Sequence, residues 1–158
     1  MRALVITVSN RASAGIYEDK SGPLLADLLR RDAGCEVEGP VVVPDGDPVE
    51  AALRQGLADG YDVIVTTGGT GLTPMDLTPE VTARVISREI PGIAEAIRWA
   101  NRDKVPTSVL SRGLAGQAGK TLIVNLPGSS GGVRDGVAVL APILQHAVDQ
   151  IRGGDHPR

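Results

Sequence analysis

Residues 61–80, YDVIVTTGGTGLTPMDLTPE, decide how the rest of the chain is read. Asp62 to Thr67 (DVIVTT) is a short β-branched run, which predicts a strand buried on both faces. It leads straight into Gly68-Gly69-Thr70-Gly71. There the missing side chains expose successive backbone N–H groups and positive φ costs little, so the loop can wrap an anion. Thr73-Pro74-Met75-Asp76 comes next, then Thr78-Pro79-Glu80, read as an N-cap with proline at the first helical position. Strand, glycine turn, isolated carboxylate and helix start, in that order, are the layout of a phosphate site. An ordinary strand-to-helix connection needs only ~2–6 residues, and this one is longer.

The same grammar extends in both directions. Ala3 to Val8 (ALVITV) is a near-continuous apolar strand, followed by a polar loop from Ser9 to Ser21. Ser21 is expected to cap a helix with Pro23 near its start, buried through Leu24, Leu25, Leu28 and Leu29 and ended by Gly34. Val37 to Val43 contains the second strand. Asp47-Pro48-Val49-Glu50 then reads as a capping box, with Val49, Leu53 and Leu57 on one helical face. Beyond Glu80, Val81, Val85 and Ile86 continue a helix to Pro91-Gly92, and Ile93, Ile97 and Ala100 mark another. Thr107 to Leu110 is expected to be a short strand and Thr121 to Leu126 (TLIVNL) a longer one. The latter ends in Pro127-Gly128-Ser129-Ser130, and a last helix follows that Pro142 should kink or divide. Alternating strands and helices predict an α/β fold of three layers, a mostly parallel sheet with helices on both faces. Residues 1–152 are expected to form one domain and 153–158 a frayed tail.

Composition narrows the partners. The chain has 158 residues, 42% hydrophobic and 22% charged, an ordinary globular balance. Aromatics are 2% with no Phe, which argues against base-stacking single-strand modules. A net charge of −3 leaves no electrostatic footprint for a nucleic-acid backbone. Cys35 is the single cysteine, so an internal disulfide framework and a cysteine-clustered metal site are excluded. No apolar run approaches the ~18–20 residues of a membrane span, and strand-like sequence begins at Arg2, so the protein reads as cytoplasmic.

In open parallel sheets, ligands bind beyond the carboxyl ends of the strands. The predicted strands end in Ser9-Asn10-Arg11, Pro44-Asp45-Gly46-Asp47, Gly68 to Asp76 and Pro127 to Gly132, which a parallel sheet would bring to one edge. That edge supplies donors, a cation and carboxylates. Asp47 reads as a helix cap, whereas Asp45, between strand and cap, has no evident structural duty. Asp76 beside a phosphate cradle would repel the ligand unless a cation lay between them; Mg²⁺ held by one or two carboxylates and the ligand's own phosphates resolves the conflict. Gly128 to Gly132 opens a helix, itself an anion site. Leu114 to Thr121 (LAGQAGKT) imitates a P-loop, but begins with leucine and precedes a strand. His146, in the last helix, and His156, in the tail, make no catalytic base or metal site.

Together these residues resemble the molybdopterin adenylyltransferase family of molybdenum cofactor biosynthesis, the MogA/MoaB-like proteins related to the G domain of gephyrin. Ser9-Asn10-Arg11 with Ser13, Gly15, Asp19 and Ser21-Gly22-Pro23 is similar to its first signature. Thr67 to Glu80 is similar to the central one, and Asn125 to Ser129 to the third; Pro106-Thr107 and Leu110-Ser111-Arg112 also fit. The resemblance implies a molybdopterin-binding-domain-like fold and Mg- and ATP-dependent adenylylation of molybdopterin with release of pyrophosphate. It puts Asp45 and Asp76 on the family's key acidic positions, as catalytic and metal-holding residues. Ser9, Arg11, Gly68, Gly69, Thr70, Gly71, Pro127, Gly128, Ser129 and Ser130 would bind substrate phosphates. It further implies a homotrimer and hand-over to a molybdenum insertase. The sequence departs from the pattern at Asn10 (commonly aspartate), Met75 (often arginine) and Ser130-Gly131 (usually proline-lysine). Two phosphate-binding cations are thereby absent, each charge-assisted bond being worth ~1.5–3 kcal/mol. The alternative is therefore a non-catalytic molybdopterin carrier of the same family. Pterin carbinolamine dehydration, a third reading, lacks a histidine cluster suited to moving the proton.

Overall fold

A computed structural model describes residues 1–154. Its sheet has six strands in the order β2-β1-β3-β6-β5-β4, formed by β1 (Arg2–Val8), β2 (Glu36–Val43), β3 (Val63–Thr67), β4 (Arg88–Glu89), β5 (Ala115–Ala118) and β6 (Thr121–Leu126). β2, β1, β3 and β6 run parallel, while β5 and β4 add antiparallel to the far edge. The helices are α1 (Asn10–Ser13), α2 (Ser21–Ala33), α3 (Asp47–Ala58), α4 (Thr78–Val85), α5 (Pro91–Trp99), α6 (Ser130–Leu140) and α7 (Leu144–Ile151).

Register and period-2 alternation divide the apolar residues between two layers. Ala3 lies opposite Val63 and Val63 opposite Leu122; Val5, Val65 and Val124 repeat the row two residues on. These side chains pack with Leu25, Leu29, Ile93, Val137 and Leu144 from α2, α5, α6 and α7. Leu4, Ile64 and Ile123 face the other way, against Val49 and Leu53 of α3 and Val81 and Val85 of α4. Helices therefore cover both faces, and the core they enclose is mostly aliphatic.

Several local expectations are corrected. Thr107–Leu110 is not a strand but part of a 3-10 turn, Pro106–Leu110. The missing strand is β5, inside the P-loop imitation: Gly119, at φ 56°, turns β5 back onto β6 as a hairpin. Ser21 does not cap α2; Asp19 does, its Oδ1 accepting from the Gly22 N–H at 3.0 Å while Oδ2 accepts from the Thr7 hydroxyl at 2.8 Å. Asp47 makes no capping bond and is almost fully exposed; Gly46 stands at the N-cap of α3. Thr78 is the first residue of α4, with Leu77 at its N-cap. Pro142 does divide the last helix, falling between α6 and α7. Of the expected tail, Gly153 and Gly154 bond back to Gln150 and Asp149 at 3.0 and 2.8 Å; residues 155–158, with His156, lie outside the described residues.

Candidate active site

Because the central strands are parallel, the loops after β1, β2, β3 and β6 meet at one edge of the sheet, stitched by backbone bonds. The Ser9 N–H donates to Val43 O at 2.9 Å, Gly68 N–H to Leu126 O at 3.0 Å, and the Thr67 hydroxyl to Pro127 O at 2.8 Å. Gly68 and Gly128 approach backbone to backbone: a Cβ on Gly128 would sit 3.2 Å from Gly68 Cα. Glycine is therefore required here for packing as well as for exposing donors. The Gly68 donor is already taken, so Gly68 shapes the loop without offering its N–H. No described residue accepts from the N–H groups of Gly69, Thr70 or Gly71. Thr70 is buried, its hydroxyl oxygen accepting from Ser111 at 3.1 Å. Across the edge, Ser129 caps α6 by accepting from the Gly132 N–H, leaving the N–H groups of Ser130 and Gly131 open at the helix start.

Three adjoining depressions lie on this edge. The largest, about 810 Å³, runs between Gly68–Leu72 and Pro127–Ser129 and is closed by Val105, Leu110 and Ser111. A second, about 490 Å³, lies over Ser9, Lys20, Gly128 and Ser130. The third, about 340 Å³, holds Ser9, Arg11, Asp45, Met75 and Asp76. Tyr17 and Val8 line all three. Tyr17 is 53% exposed, its hydroxyl 3.0 Å from Ser9 Oγ, which itself accepts from the Ala12 N–H. Every residue expected at the site thus comes to one edge, though not into one pocket.

The two carboxylates differ. Asp76 Oδ2 accepts from the Thr73 N–H (3.0 Å) and hydroxyl (2.8 Å), while Oδ1 has no partner among the described residues. Asp45 has a structural duty that its position in the chain did not disclose. Its Oδ1 accepts from the Gly46 N–H (2.7 Å) and the Thr78 hydroxyl (3.0 Å), and its Oδ2 from the Leu77 N–H (3.0 Å), at the start of α4. Asn10 supports it: Asn10 Oδ1 accepts from the Asp45 N–H at 2.9 Å. An aspartate at position 10 could offer the same acceptor, so that departure keeps the contact.

No group of three or more His, Cys, Asp or Glu side chains among the described residues could hold a metal ion. Asp45 and Asp76 on one depression, with Asp76 Oδ1 free, fit a hard cation that completes its shell with ligand phosphates and water. Arg11 makes no ion pair among the described residues, so its charge is available to an anion. Cys35 is buried, and burial pushes its thiol pKa up, the opposite of an activated nucleophile. Tyr17, Ser111 and Arg112 are the contributors sequence reasoning underrated. One of only two tyrosines in the chain was a usable signal; Ser111 and Arg112 fell in a matching motif, but the Arg112 side-chain contacts, 32 to 41 residues apart, left no trace of their role.

Comparison with known proteins identifies the family of the chain. Residues 4–146 match the family model described as "Probable molybdopterin binding domain". A molybdopterin adenylyltransferase of Helicobacter pylori is 38% identical over 153 residues, 94% of this chain and 86% of that protein. A molybdenum cofactor biosynthesis bifunctional protein of Synechococcus elongatus is 39% identical over 98% of this chain, which spans about half (48%) of its length. A solved MogA structure superimposes with a TM-score of 0.93 at 54% identity, covering 96% of this chain and 99% of that one.

Proposed function

This chain belongs to the molybdopterin-binding-domain family of molybdenum cofactor biosynthesis, and from that premise we propose that it adenylylates molybdopterin, using ATP and Mg²⁺ and releasing pyrophosphate. The observation that carries the reading is the meeting, at one sheet edge, of N–H donors (Gly69–Gly71, Ser130, Gly131), an arginine (Arg11) and one oxygen of a carboxylate (Asp76) that have no partner among the described residues. Residues 1–152 form one domain in this reading.

The terminal phosphate of the pterin is already an anion, so the reaction needs no strong general base. Its oxygen attacks the α-phosphorus of ATP, the bond to the bridging oxygen breaks, and pyrophosphate leaves with that electron pair. The protein's part is in-line placement and charge neutralisation. Gly69 to Gly71 and the α6 start donate to phosphate oxygens; Ser9 and Arg11 hold the opposite side, and Gly68, Thr70, Pro127, Gly128 and Ser129 fix the cradle's shape. Asp76 would hold Mg²⁺ through its open oxygen, and Asp45, already carrying three donors, adds fixed negative charge. The metal, when bound, supplies positive charge against the phosphates.

The product passes to a molybdenum insertase, and the protein works as a cytoplasmic homotrimer. No helix among the described residues is long and apolar enough to cross a membrane. Exposed Met75 and the Ser130-Gly131 start of α6, in place of the arginine and the proline-lysine of the family pattern, favour the carrier as the second reading.

Pyrophosphate release from ATP, with and without molybdopterin, separates the two. The enzyme gives pterin-dependent release that falls at least ~100-fold in Asp76→Asn. Pterin binding without release would establish the carrier.

A further inference from the structure

The side chain of Arg112 lines none of the three depressions, yet it hydrogen-bonds the glycine–aspartate loop at both Gly71 and Asp76. Its backbone N–H donates to Thr70 O at 2.8 Å. Its Nε donates to Gly71 O at 2.9 Å and one terminal nitrogen to Asp76 O at 2.8 Å, so one planar group joins the two ends of the exposed 71–76 loop. The other terminal nitrogen meets both oxygens of Glu80 on α4, at 2.7 and 2.9 Å. Arg98 steadies the same segment from behind, donating to Ser111 O and Gly113 O at 3.3 and 3.0 Å.

Apart from this brace, the loop is anchored only just beyond its end, where the Leu77 N–H donates to Asp45 and the Thr78 N–H to Gly69 O. Leu72 and Met75 are 64% and 63% exposed, and the bonds within the loop link only Thr73 and Asp76. The one side chain that reaches both Gly71 and Asp76 lies behind the loop. We infer that Arg112 is a positioning residue that, tied to Glu80, clamps the 71–76 loop and thereby sets where the Asp76 carboxylate presents its open oxygen to a divalent cation. The cation's role rests on the reading proposed above; the clamp itself does not. Lysine cannot substitute, because an ammonium lacks the rigid fork that spans the two carbonyls.

The test compares native protein with Arg112→Lys, Arg112→Ala and Glu80→Gln. The first readout is hydrogen–deuterium exchange resolved along the chain. The second is Mn²⁺ affinity in the presence of ATP, followed by electron paramagnetic resonance. Arg112→Lys should raise exchange locally in residues 71–77, leave β1, β3 and β6 protected, and weaken Mn²⁺ binding about 10- to 100-fold. Glu80→Gln should do the same more weakly, and guanidinium added to Arg112→Ala should restore part of the loss. Native exchange and Mn²⁺ affinity in Arg112→Lys would overturn the clamp, showing that only its charge matters. Raised exchange through the central strands would overturn it too, as a general stability effect. If native protein binds Mn²⁺-ATP but releases no pyrophosphate with pterin, the adenylylation reading fails while the clamp is still judged by these outcomes.

Discussion

Replacing glycines 68, 69 and 71 one at a time by alanine should separate architecture from chemistry within a few residues. Gly68 has φ 101°, and a Cβ there would lie 2.2 Å from the carbonyl oxygen of Val8. That oxygen belongs to the central strand β1 and cannot retreat without breaking the sheet. Left-handed backbone costs an alanine ~1–2 kcal/mol and the collision ~1–3 kcal/mol, so Gly68→Ala should lose ~2–5 kcal/mol. At ~2–4 °C per kcal/mol for a chain of this size, Tm should fall by roughly 4–20 °C. Gly69, at φ 72°, would set its Cβ 2.1 Å from Thr78 Oγ1 and 2.5 Å from Asp45 Oδ2. The Asp45–Thr78 bond at the start of α4 would be displaced, adding ~0.5–1.5 kcal/mol to the backbone cost. Gly71 differs: its φ lies outside the left-handed range, and its Cβ would meet only Asp76 Oδ2, at 2.8 Å, the end of a side chain able to swing away. Gly71→Ala should therefore keep Tm within ~4 °C while lowering cation affinity and turnover about 10- to 100-fold. Thermal melts by circular dichroism, read beside pyrophosphate release and Mn²⁺ binding, make the comparison. A Gly71→Ala protein that melts as early as Gly68→Ala, or that binds metal like the native protein, would refute the reasoning.

Two further outcomes concern the frame around the site. Tyr61 is buried and donates its hydroxyl to Glu38, so the bond to that carboxylate, followed by burial, raises the phenol's pKa above its ordinary value of 10.0. The folded state then holds the proton more tightly than the unfolded one. Its contribution to stability is complete below pH ~10 and is lost as pH rises through the folded value. In Tyr17→Phe, where Tyr61 is the only tyrosine left, tyrosinate absorbance should appear later in the folded than in the urea-unfolded protein; coincident titrations would dismiss the bond. Asp19→Ala removes the cap of α2 and its link to Thr7, and should cost ~1–2 kcal/mol. Ser21→Ala, at the position expected to cap from sequence, should stay within ~0.5 kcal/mol, and equal losses in urea titrations would reverse that assignment.

What sequence could and could not disclose follows from the range of the forces involved. The parallel strands were legible because burial on both faces demands near-continuous apolar runs, as in Ala3 to Val8 and Thr121 to Leu126. From that topology alone, the loops carrying Ser9, Asp45, Gly69 and Gly128 had to share an edge. β5 escaped because Ala115–Ala118 (AGQA) carries no β-branched residue; pairing with β6 and Arg88–Glu89 makes it a strand, against its own propensity. The caps were misplaced by only a residue or two, within the uncertainty of any helix end, but the consequence was larger. With Gly46 rather than Asp47 at the N-cap of α3, the structural duty fell to Asp45 instead of Asp47. The expected cap turned out to be exposed, and the apparently idle carboxylate carries three hydrogen bonds. Asp45 is held through Asn10, Leu77 and Thr78, and the Asp76 loop through Arg112, partners 32 to 36 residues away or more. Such bonds leave no periodicity in the chain. Residue type and spacing can nominate a carboxylate for a site, but its freedom to bind a ligand depends on which lone pairs the fold has already used. By that measure Asp76, with one oxygen open among the described residues, is the stronger candidate of the two.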